Sequence, residues 1–129
     1  MRLRQEGFTL IELLIVMLII GILAAIGVPK FSSSKERAFI TTMKADLRNL
    51  ATAQEAYLYD NGNYYSGTIP DPALNYAAST SVTITLSAVT ASGWQGTAQH
   101  SQTAKTCVVF FGSAPPIGAA VTEGIAACN

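Results

Sequence analysis

Residues 7–29 read GFTLIELLIVMLIIGILAAIGVP, and this stretch determines how the rest of the chain is interpreted. From Phe8 to Val28 only one side chain is ionisable, that of Glu12. An α-helix of this length measures about 31 Å, at about 1.5 Å per residue, which matches the hydrocarbon core of a bilayer. The stretch therefore predicts a helix that is long enough to span a membrane.

The single acidic residue in this run needs a cationic partner. A carboxylate inside a span costs on the order of 2 to 3 kcal/mol at the membrane centre and less near its edge. The nearest basic residues are Arg4 and Lys30, so we expect the partner of Glu12 to be a chain terminus or another molecule. Cleavage between Gly7 and Phe8 creates an α-amino group about one helical turn before the carboxylate, where it can pair within the chain or between neighbouring chains.

An ordinary secretory signal peptide is the alternative reading of the same run. Ala25 and Gly27 form a pair of small residues that suits a signal peptidase, and cleavage after Gly27 would release a soluble secreted domain beginning at Val28. The apolar run exceeds the usual core of about 7 to 15 residues, and it contains an acid. Both features favour a retained helix over a removed signal.

Beyond Pro29 the sequence keeps a helical period until about Tyr59, before the turn signal Asn61-Gly62. The apolar stripe contains Ile40, Met43, Leu47, Leu50, Gln54 and Tyr57. The opposite face, expected to be solvated, carries Lys35, Lys44, Asp46, Arg48 and Glu55. Because proline removes a backbone donor and clashes with the preceding turn, we expect a bend or local unwinding near residues 25–29. A break, with a Ser33–Glu36 capping box restarting the helix, is the alternative.

The remaining residues, 61–129, predict a small globular head. An irregular connection rich in Asn, Tyr, Ser, Gly and Pro comes first, and then SVTITLSAV (81–89) alternates as a half-buried strand. The segments GWQGTAQHSQ (93–102) and TCVVFFG (106–112) predict further strands, and a tail without periodicity follows Gly112. The expected fold class is α+β, with the long helix packed on an antiparallel sheet of about three to four strands.

Composition excludes several classes of function. The formal net charge is zero and 12% of the residues are charged, without a basic run, so direct nucleic-acid binding is not expected. The two cysteines, Cys107 and Cys128, predict either a disulfide outside the cytoplasm or two buried thiols, and they are too few for a structural zinc site. The single histidine, His100, has no acidic or cysteine neighbour in sequence and is interpreted as a packing or surface residue. We expect no catalytic residues, no metal and no cofactor.

The segment EGFTLIELLIVMLIIGILAAIGVP (6–29) closely resembles the N-terminal signature of type IV pilins and of the related pseudopilins of type II secretion. The resemblance implies that residues 1–7 are a leader removed after Gly7 and that the new N-terminus, Phe8, is methylated. It also implies that Glu12 registers an incoming subunit against the N-terminal amine of its neighbour. Gly21 and Pro29 fall where the family carries a glycine and a helix-bending proline, and the resemblance implies one long, bent helix from Phe8 to about Tyr59.

Further expectations follow from this resemblance. Residues 8–29 become the membrane and filament-core half of the helix, residues 30–60 its amphipathic half, and Cys107 and Cys128 a disulfide that bounds the C-terminal loop. The implied partners are copies of the same chain, a prepilin peptidase that is also the N-methyltransferase, and an ATPase-driven assembly platform in the inner membrane. The assembled product is an extracellular pilus.

A pseudopilin of a type II secretion or DNA-uptake apparatus is the alternative within the same family. Major pseudopilins commonly carry a calcium loop in the C-terminal region, built from several acidic ligands. The tail of this chain offers only Glu123, whereas calcium takes about six to eight oxygen ligands. That departure favours the pilus subunit.

Overall fold

The computed structural model describes residues 7–129. The elements are α1 (Leu10–Asn61), β1 (Val82–Ser87), β2 (Gly93–His100), β3 (Thr106–Gly112) and β4 (Ala127–Cys128). The four strands form one antiparallel sheet in the order β1-β2-β3-β4. The chain divides into two compact units, one ending at Lys35 and the other comprising Glu36–Asn129. The predicted α+β class is confirmed.

Helix α1 passes through Pro29 without interruption. Proline lacks an N–H, so one bond of the helical ladder is lost there, and the hydroxyls of Ser33 and Ser34 each donate to the carbonyl of Lys30, at 3.0 and 3.1 Å. The Ser33 hydroxyl therefore bonds backward to a carbonyl instead of capping a new helix. The alternative of a broken helix with a Ser33–Glu36 capping box was wrong, and the continuous helix is confirmed.

The apolar stripe of α1 forms one side of the core of the second unit. Met43, Leu47, Leu50 and Gln54 are buried, and they pack with residues of the sheet and of the connection after the helix. Gln54 is an amide in this apolar setting, but both ends of its side chain are used. Its Nε2 donates to the carbonyl of Tyr65 at 3.0 Å, and its Oε1 accepts from the N–H of Tyr65 at 2.9 Å. The pair fastens the start of the connection to the helix.

Asp46 does not lie on the solvated face, and that prediction was wrong. Its side chain is 4% exposed, and its carboxylate accepts from the N–H of Ser79 at 3.1 Å and from the hydroxyl of Ser79 at 2.8 Å. The hydroxyl of Tyr76 donates to the backbone carbonyl of Asp46 at 2.9 Å. Because buried carboxylates are tolerated when they accept hydrogen bonds, these contacts explain how the irregular connection covers this side of the helix.

The middle strands of the sheet are covered on both faces. Cys107 and Val109 of β3 belong to the core beneath the helix, whereas Val108 and Phe110 point to a second cluster with Ala114 and Ala120 of the C-terminal loop. A strand buried on both faces reads as a continuous apolar run, which is the pattern of TCVVFFG. The tail also contributes β4, where Cys128 pairs with Cys107. No pattern in the sequence predicted this two-residue strand.

Candidate functional site

The N-terminus of α1 is closed by a reciprocal capping box. The N–H and the hydroxyl of Thr9 both donate to Oε2 of Glu12, at 2.8 and 2.7 Å, and the N–H of Glu12 donates to the hydroxyl oxygen of Thr9 at 3.3 Å. A capping box satisfies two backbone donors that the first turn of a helix leaves without partners. Thr9 is therefore a hydrogen-bonding partner of Glu12 that our expectation of a chain terminus or another molecule did not include, and it binds the carboxylate without neutralising it.

Thr9 is the residue of this site that the sequence reasoning missed. The pattern Thr-x-x-Glu immediately before an apolar helix is a recognised signature of a helix start, and it is present in TLIE (9–12). The acid was interpreted only as a charge within a span. The same pattern also explains why α1 begins at Leu10, two residues after Phe8.

The apolar half of α1 is not covered by any other part of the described chain. Phe8 is 92% exposed, and large apolar side chains remain exposed along the helix as far as Phe31. By length and composition this helix is able to cross a membrane. Contiguous apolar surface of this size indicates contact with lipid or with other proteins.

The other predicted positions of the helix lie along this exposed segment. Beyond the backbone of their own helix, nothing lies within 4 Å of the place where a Cβ would stand on Gly21 or on Gly27. Gly21 and Ala25, four residues apart on one side of the helix, leave a shallow strip where a second helix can approach closely. Pro29 lies four residues beyond Ala25, inside the helix. The structure thus leaves Gly21 and Pro29 open to a partner but brings neither of them to Glu12.

A second polar feature lies at the other end of α1, around Tyr64. Its hydroxyl donates to Oε1 of Glu55 at 2.9 Å. Burial raises the pKa of Tyr64 to about 12, and the Glu55 carboxylate adds to the increase through its hydrogen bond and its charge. The charge of Glu123 acts in the same direction, although Glu123 is far from Glu55 in sequence.

This environment predicts a loss of stability at alkaline pH. Because the folded pKa of Tyr64, about 12, lies above its ordinary value of 10.0, the folded protein holds this proton more tightly than the unfolded chain does. The resulting stability is fully present below pH 10.0 and is lost as the pH rises through 12. We expect the urea midpoint of the detergent-solubilised chain, followed by the fluorescence of its single tryptophan, to fall over this range.

The Tyr64→Phe variant should show a smaller fall in midpoint. Tyr59→Phe is the matched control because the side chain of Tyr59 is 92% exposed, so its surroundings change little on unfolding. Part of the slope should persist in the Tyr64 variant, since burial and the nearby Asp46 also raise the pKa of Tyr76. Identical slopes for wild type and Tyr64→Phe would contradict the assignment.

The C-terminal loop is held at both of its ends. The disulfide Cys107–Cys128 joins β3 to β4, and the carboxamide oxygen of Asn129 accepts from the N–H and hydroxyl of Thr106, both at 3.1 Å. At the other end of β3, Oε1 of Glu123 accepts from the N–H of Gly112 at 2.6 Å. The predicted disulfide is confirmed, and the alternative of two buried thiols was wrong.

The remaining candidate residues have packing roles in the structure. His100 is 7% exposed, its ring stacks on Phe39 with centroids 4.2 Å apart, and its Nδ1 accepts from the N–H of Gln102 at 3.1 Å. Within residues 7–129 no group of three or more His, Cys, Asp or Glu side chains is arranged to hold a metal ion. The single acid of the tail, Glu123, is engaged with the backbone of Gly112.

Comparison with known families identifies the N-terminal segment. Residues 2–28 match the prokaryotic N-terminal methylation motif. This range includes Gly7, Phe8, the Thr9–Glu12 capping box and Gly21, and it ends one residue before Pro29. The match therefore covers the exposed apolar half of the helix and does not extend to the head.

Similar proteins include both secretion proteins and pilins. The chain is 45% identical over 65 residues to the type II secretion system core protein G of Pseudomonas aeruginosa, a match covering 50% of this chain and 46% of that protein. It is 46% identical over 61 residues to the type IV major pilin protein PilA of Myxococcus xanthus, covering 47% of this chain and 28% of that pilin.

A longer match is to the type IV wide pilus major component PilA4 of Thermus thermophilus, which is 42% identical over 87 residues. This match covers 67% of the chain and 66% of the relative, whereas the chain spans less than half the length of the first two relatives.

Proposed function

Because the chain belongs to the type IV pilin family, to which the pseudopilins of type II secretion are related, we propose that it is the precursor of a pilus subunit. A prepilin peptidase removes the leader after Gly7 and methylates the new amine of Phe8. The subunit then leaves the membrane and polymerises through its N-terminal helix. The observation that carries this proposal is the methylation motif over residues 2–28, which coincides with a helix whose apolar side chains are exposed.

The role proposed for Glu12 is to set the register of polymerisation. Lipid and a bundle of apolar helices are similar solvents for this segment, so transfer from one to the other yields little hydrophobic free energy. Register must then come from specific contacts, and the carboxylate of Glu12 with the α-amino group of Phe8 in a neighbouring copy is the charged pair available in this segment. Close approach of helices along Gly21 would support the same contact.

The proposed partners and locations follow from this scheme. The unassembled subunit is anchored in the inner membrane by residues 8–29, where it meets the peptidase and an assembly platform driven by an ATPase. The assembled subunit is part of an extracellular filament, with its head, residues 61–129, toward the outside. The chain itself acts as a structural subunit and has no catalytic role.

Mass spectrometry of the chain recovered from its native cells tests the processing step. We expect the mature protein to begin at Phe8 and to carry one methyl group on its amine, because Gly7 and Phe8 occupy the cleavage positions of the motif. A mature chain that begins at Val28 would identify an ordinary secreted domain instead. An uncut chain that begins at residue 1 would also contradict the proposal.

A pseudopilin is the second candidate, supported by the 45% identity to a type II secretion core protein. The pilus is favoured because the C-terminal loop is closed by the Cys107–Cys128 disulfide and its acid, Glu123, binds a backbone N–H. Deletion of the gene separates the two functions. Loss of surface filaments with normal protein secretion supports the pilus, whereas loss of secretion with unchanged filaments supports the pseudopilus.

A further inference from the structure

One flank of α1 carries a row of cations within the second unit. Arg37, Lys44 and Arg48 are separated by seven and four residues, so helical geometry places them on the same side. This row is called the basic flank below. None of the residues three or four positions before or after Arg37, Lys44 or Arg48 is acidic. Arg37 and Arg48 are exposed, Lys44 is half-buried, and within residues 7–129 no lysine or arginine forms a salt bridge.

Most of the acidic residues of the same unit lie beyond Arg48 in sequence; Glu36 is next to Arg37, and Asp46, between Lys44 and Arg48, is buried against Ser79. Beyond Arg48 the chain contains four carboxylates, Glu55, Asp60, Asp71 and Glu123, against the single basic residue Lys105. Glu55 accepts a hydrogen bond from the hydroxyl of Tyr64, the charge of Glu123 also acts on that hydroxyl, and both carboxylates are exposed. They are called the acidic patch below. Each has one recorded hydrogen bond, from Tyr64 and from Gly112 respectively, and a carboxylate has about four acceptor positions.

From this separation of charge we propose that the basic flank of one copy of the chain docks on the acidic patch of a neighbouring copy, with Arg48 facing Glu55. The inference rests on the proposed function, because it requires parallel helices in a filament. It adds a contact between amphipathic halves and heads to the contact between apolar helices. The two surfaces belong to the same chain and have opposite charge. Arg48 and Glu55 lie on the same side of α1, seven residues apart, so two parallel copies that face each other on this side and are displaced along the axis bring them together.

The axial separation of Arg48 and Glu55 determines the displacement that this pairing requires. The two residues are seven positions apart within the second unit, about 10 Å along a helix axis, so the copy that supplies Arg48 must be displaced by about that amount toward the C-terminal end of its neighbour's helix. The length and flexibility of the arginine and glutamate side chains allow the pair to form when the displacement is somewhat smaller or larger.

An anionic membrane surface is the competing occupant of the basic flank. Lipid headgroups would use the three cations but would leave the acidic patch without a role. A second copy accounts for both surfaces at once, and opposite charges placed this way also disfavour wrong registers, in which like charges meet. We therefore assign the flank to a neighbouring copy.

Exchange of the two charges tests the assignment in cells that assemble the full chain. We expect the single reversals Arg48→Glu and Glu55→Arg each to lower the yield of sheared filaments by about tenfold, because like charges would then face each other at every repeated contact. The double variant Arg48→Glu/Glu55→Arg should recover most of the wild-type yield. Lys105→Glu is the matched control, since it makes the same change of charge outside α1 and should assemble as wild type does.

Two further measurements exclude indirect effects. Formation of the Cys107–Cys128 disulfide, read from mobility without reductant, shows that each variant head is folded, and Tyr64→Phe shows the effect of losing the hydrogen bond to Glu55 without a change of charge. Folded single variants with wild-type yield, or a double variant that stays as poor as the singles, would overturn the assignment. Weaker binding of Arg48→Glu to anionic vesicles, with unchanged assembly, would overturn it in favour of lipid.

The outcomes for this contact and for the proposed function are distinct. If wild-type chains form filaments that require Glu12 but the charge exchange does not restore them, only the contact between flank and patch is wrong. If wild-type chains form no filaments, the proposed function fails and this contact fails with it.

Discussion

Replacing Glu12 by alanine is expected to leave membrane insertion and leader removal intact while the yield of filaments falls by about tenfold or more. Removal of an acid from an apolar helix does not hinder insertion, because the acid itself is the costly group in lipid. The cleavage positions, Gly7 and Phe8, are unchanged. What is lost is the proposed contact with the amine of a neighbouring Phe8, which sets the register of an incoming subunit. The measurement is the amount of mature chain in the membrane compared with that in sheared filaments.

The capping box between Thr9 and Glu12 makes two control variants necessary. Loss of a cap costs about 0.5 to 2 kcal/mol of helix stability, so a defect in Glu12→Ala has two possible origins. Glu12→Gln separates them, because an amide oxygen still accepts from the N–H of Thr9 but has no charge for the neighbouring amine. We expect Glu12→Gln to assemble as poorly as Glu12→Ala, and Thr9→Ala to assemble better than both.

The opposite pattern would assign Glu12 a purely local role. If Glu12→Gln assembles normally and Thr9→Ala is as defective as Glu12→Ala, then the carboxylate acts by closing the first turn of α1. Normal assembly of Glu12→Ala would remove the residue from the assembly mechanism altogether.

The elements with a regular hydrophobic period could be predicted from the sequence. The stripe from Met43 to Gln54 repeats at helical spacing, and β1 alternates with a period of two, so both patterns follow from which side of an element is buried. The Cys107–Cys128 disulfide was predicted from cysteine count and position, together with the resemblance. These features depend on short stretches of chain or on residue types with few chemical options.

Three features were not predicted. Two of them depend on residues that are distant in sequence, and the third depends on a local pattern that was interpreted in another way. The position of Asp46 in the helical period predicts exposure to solvent. It is buried because the irregular connection after α1 folds back and brings Ser79, 33 residues further along the chain, to its carboxylate. Strand β4 is two residues long, too short for any period, and its place depends on pairing with β3. The Thr-x-x-Glu pattern at residues 9–12 indicates the capping role of Thr9, but Glu12 was interpreted only by its charge.

Trp94 is the residue whose truncation should most strongly destabilise the head. Its side chain is fully buried in the core beneath α1, its ring stacks on Phe111 with centroids 5.0 Å apart, and it is 6.5 Å from the ring of Tyr64. Gly96 makes room for it, since a Cβ there would stand 2.9 Å from Cζ3 of the indole. The absence of a side chain at Gly96 therefore allows the indole of Trp94 to pack against strand β2.

For Trp94→Ala we expect a loss of about 3 to 5 kcal/mol in the free energy of unfolding, because the transfer free energy of the ring is lost and the cavity cannot collapse fully. A small domain has about 5 to 15 kcal/mol in total, so we also expect the yield of filaments to fall through degradation of unfolded heads. Urea unfolding of the detergent-solubilised chain, followed by circular dichroism, measures the first effect without requiring tryptophan fluorescence.

Trp94→Phe and Val121→Ala are the informative controls for this measurement. Within residues 7–129 the indole Nε1 has no hydrogen-bond partner, so Trp94→Phe loses ring area but no hydrogen bond, and we expect a cost of about 1 to 2 kcal/mol. Val121 is 78% exposed, and its truncation should cost less than about 0.5 kcal/mol. If Trp94→Ala were no more destabilising than Val121→Ala, the stability of the head would not depend on this core. If Trp94→Phe were as destabilising as Trp94→Ala, the indole N–H would have to donate a hydrogen bond that contributes to stability, for example to a buried water molecule.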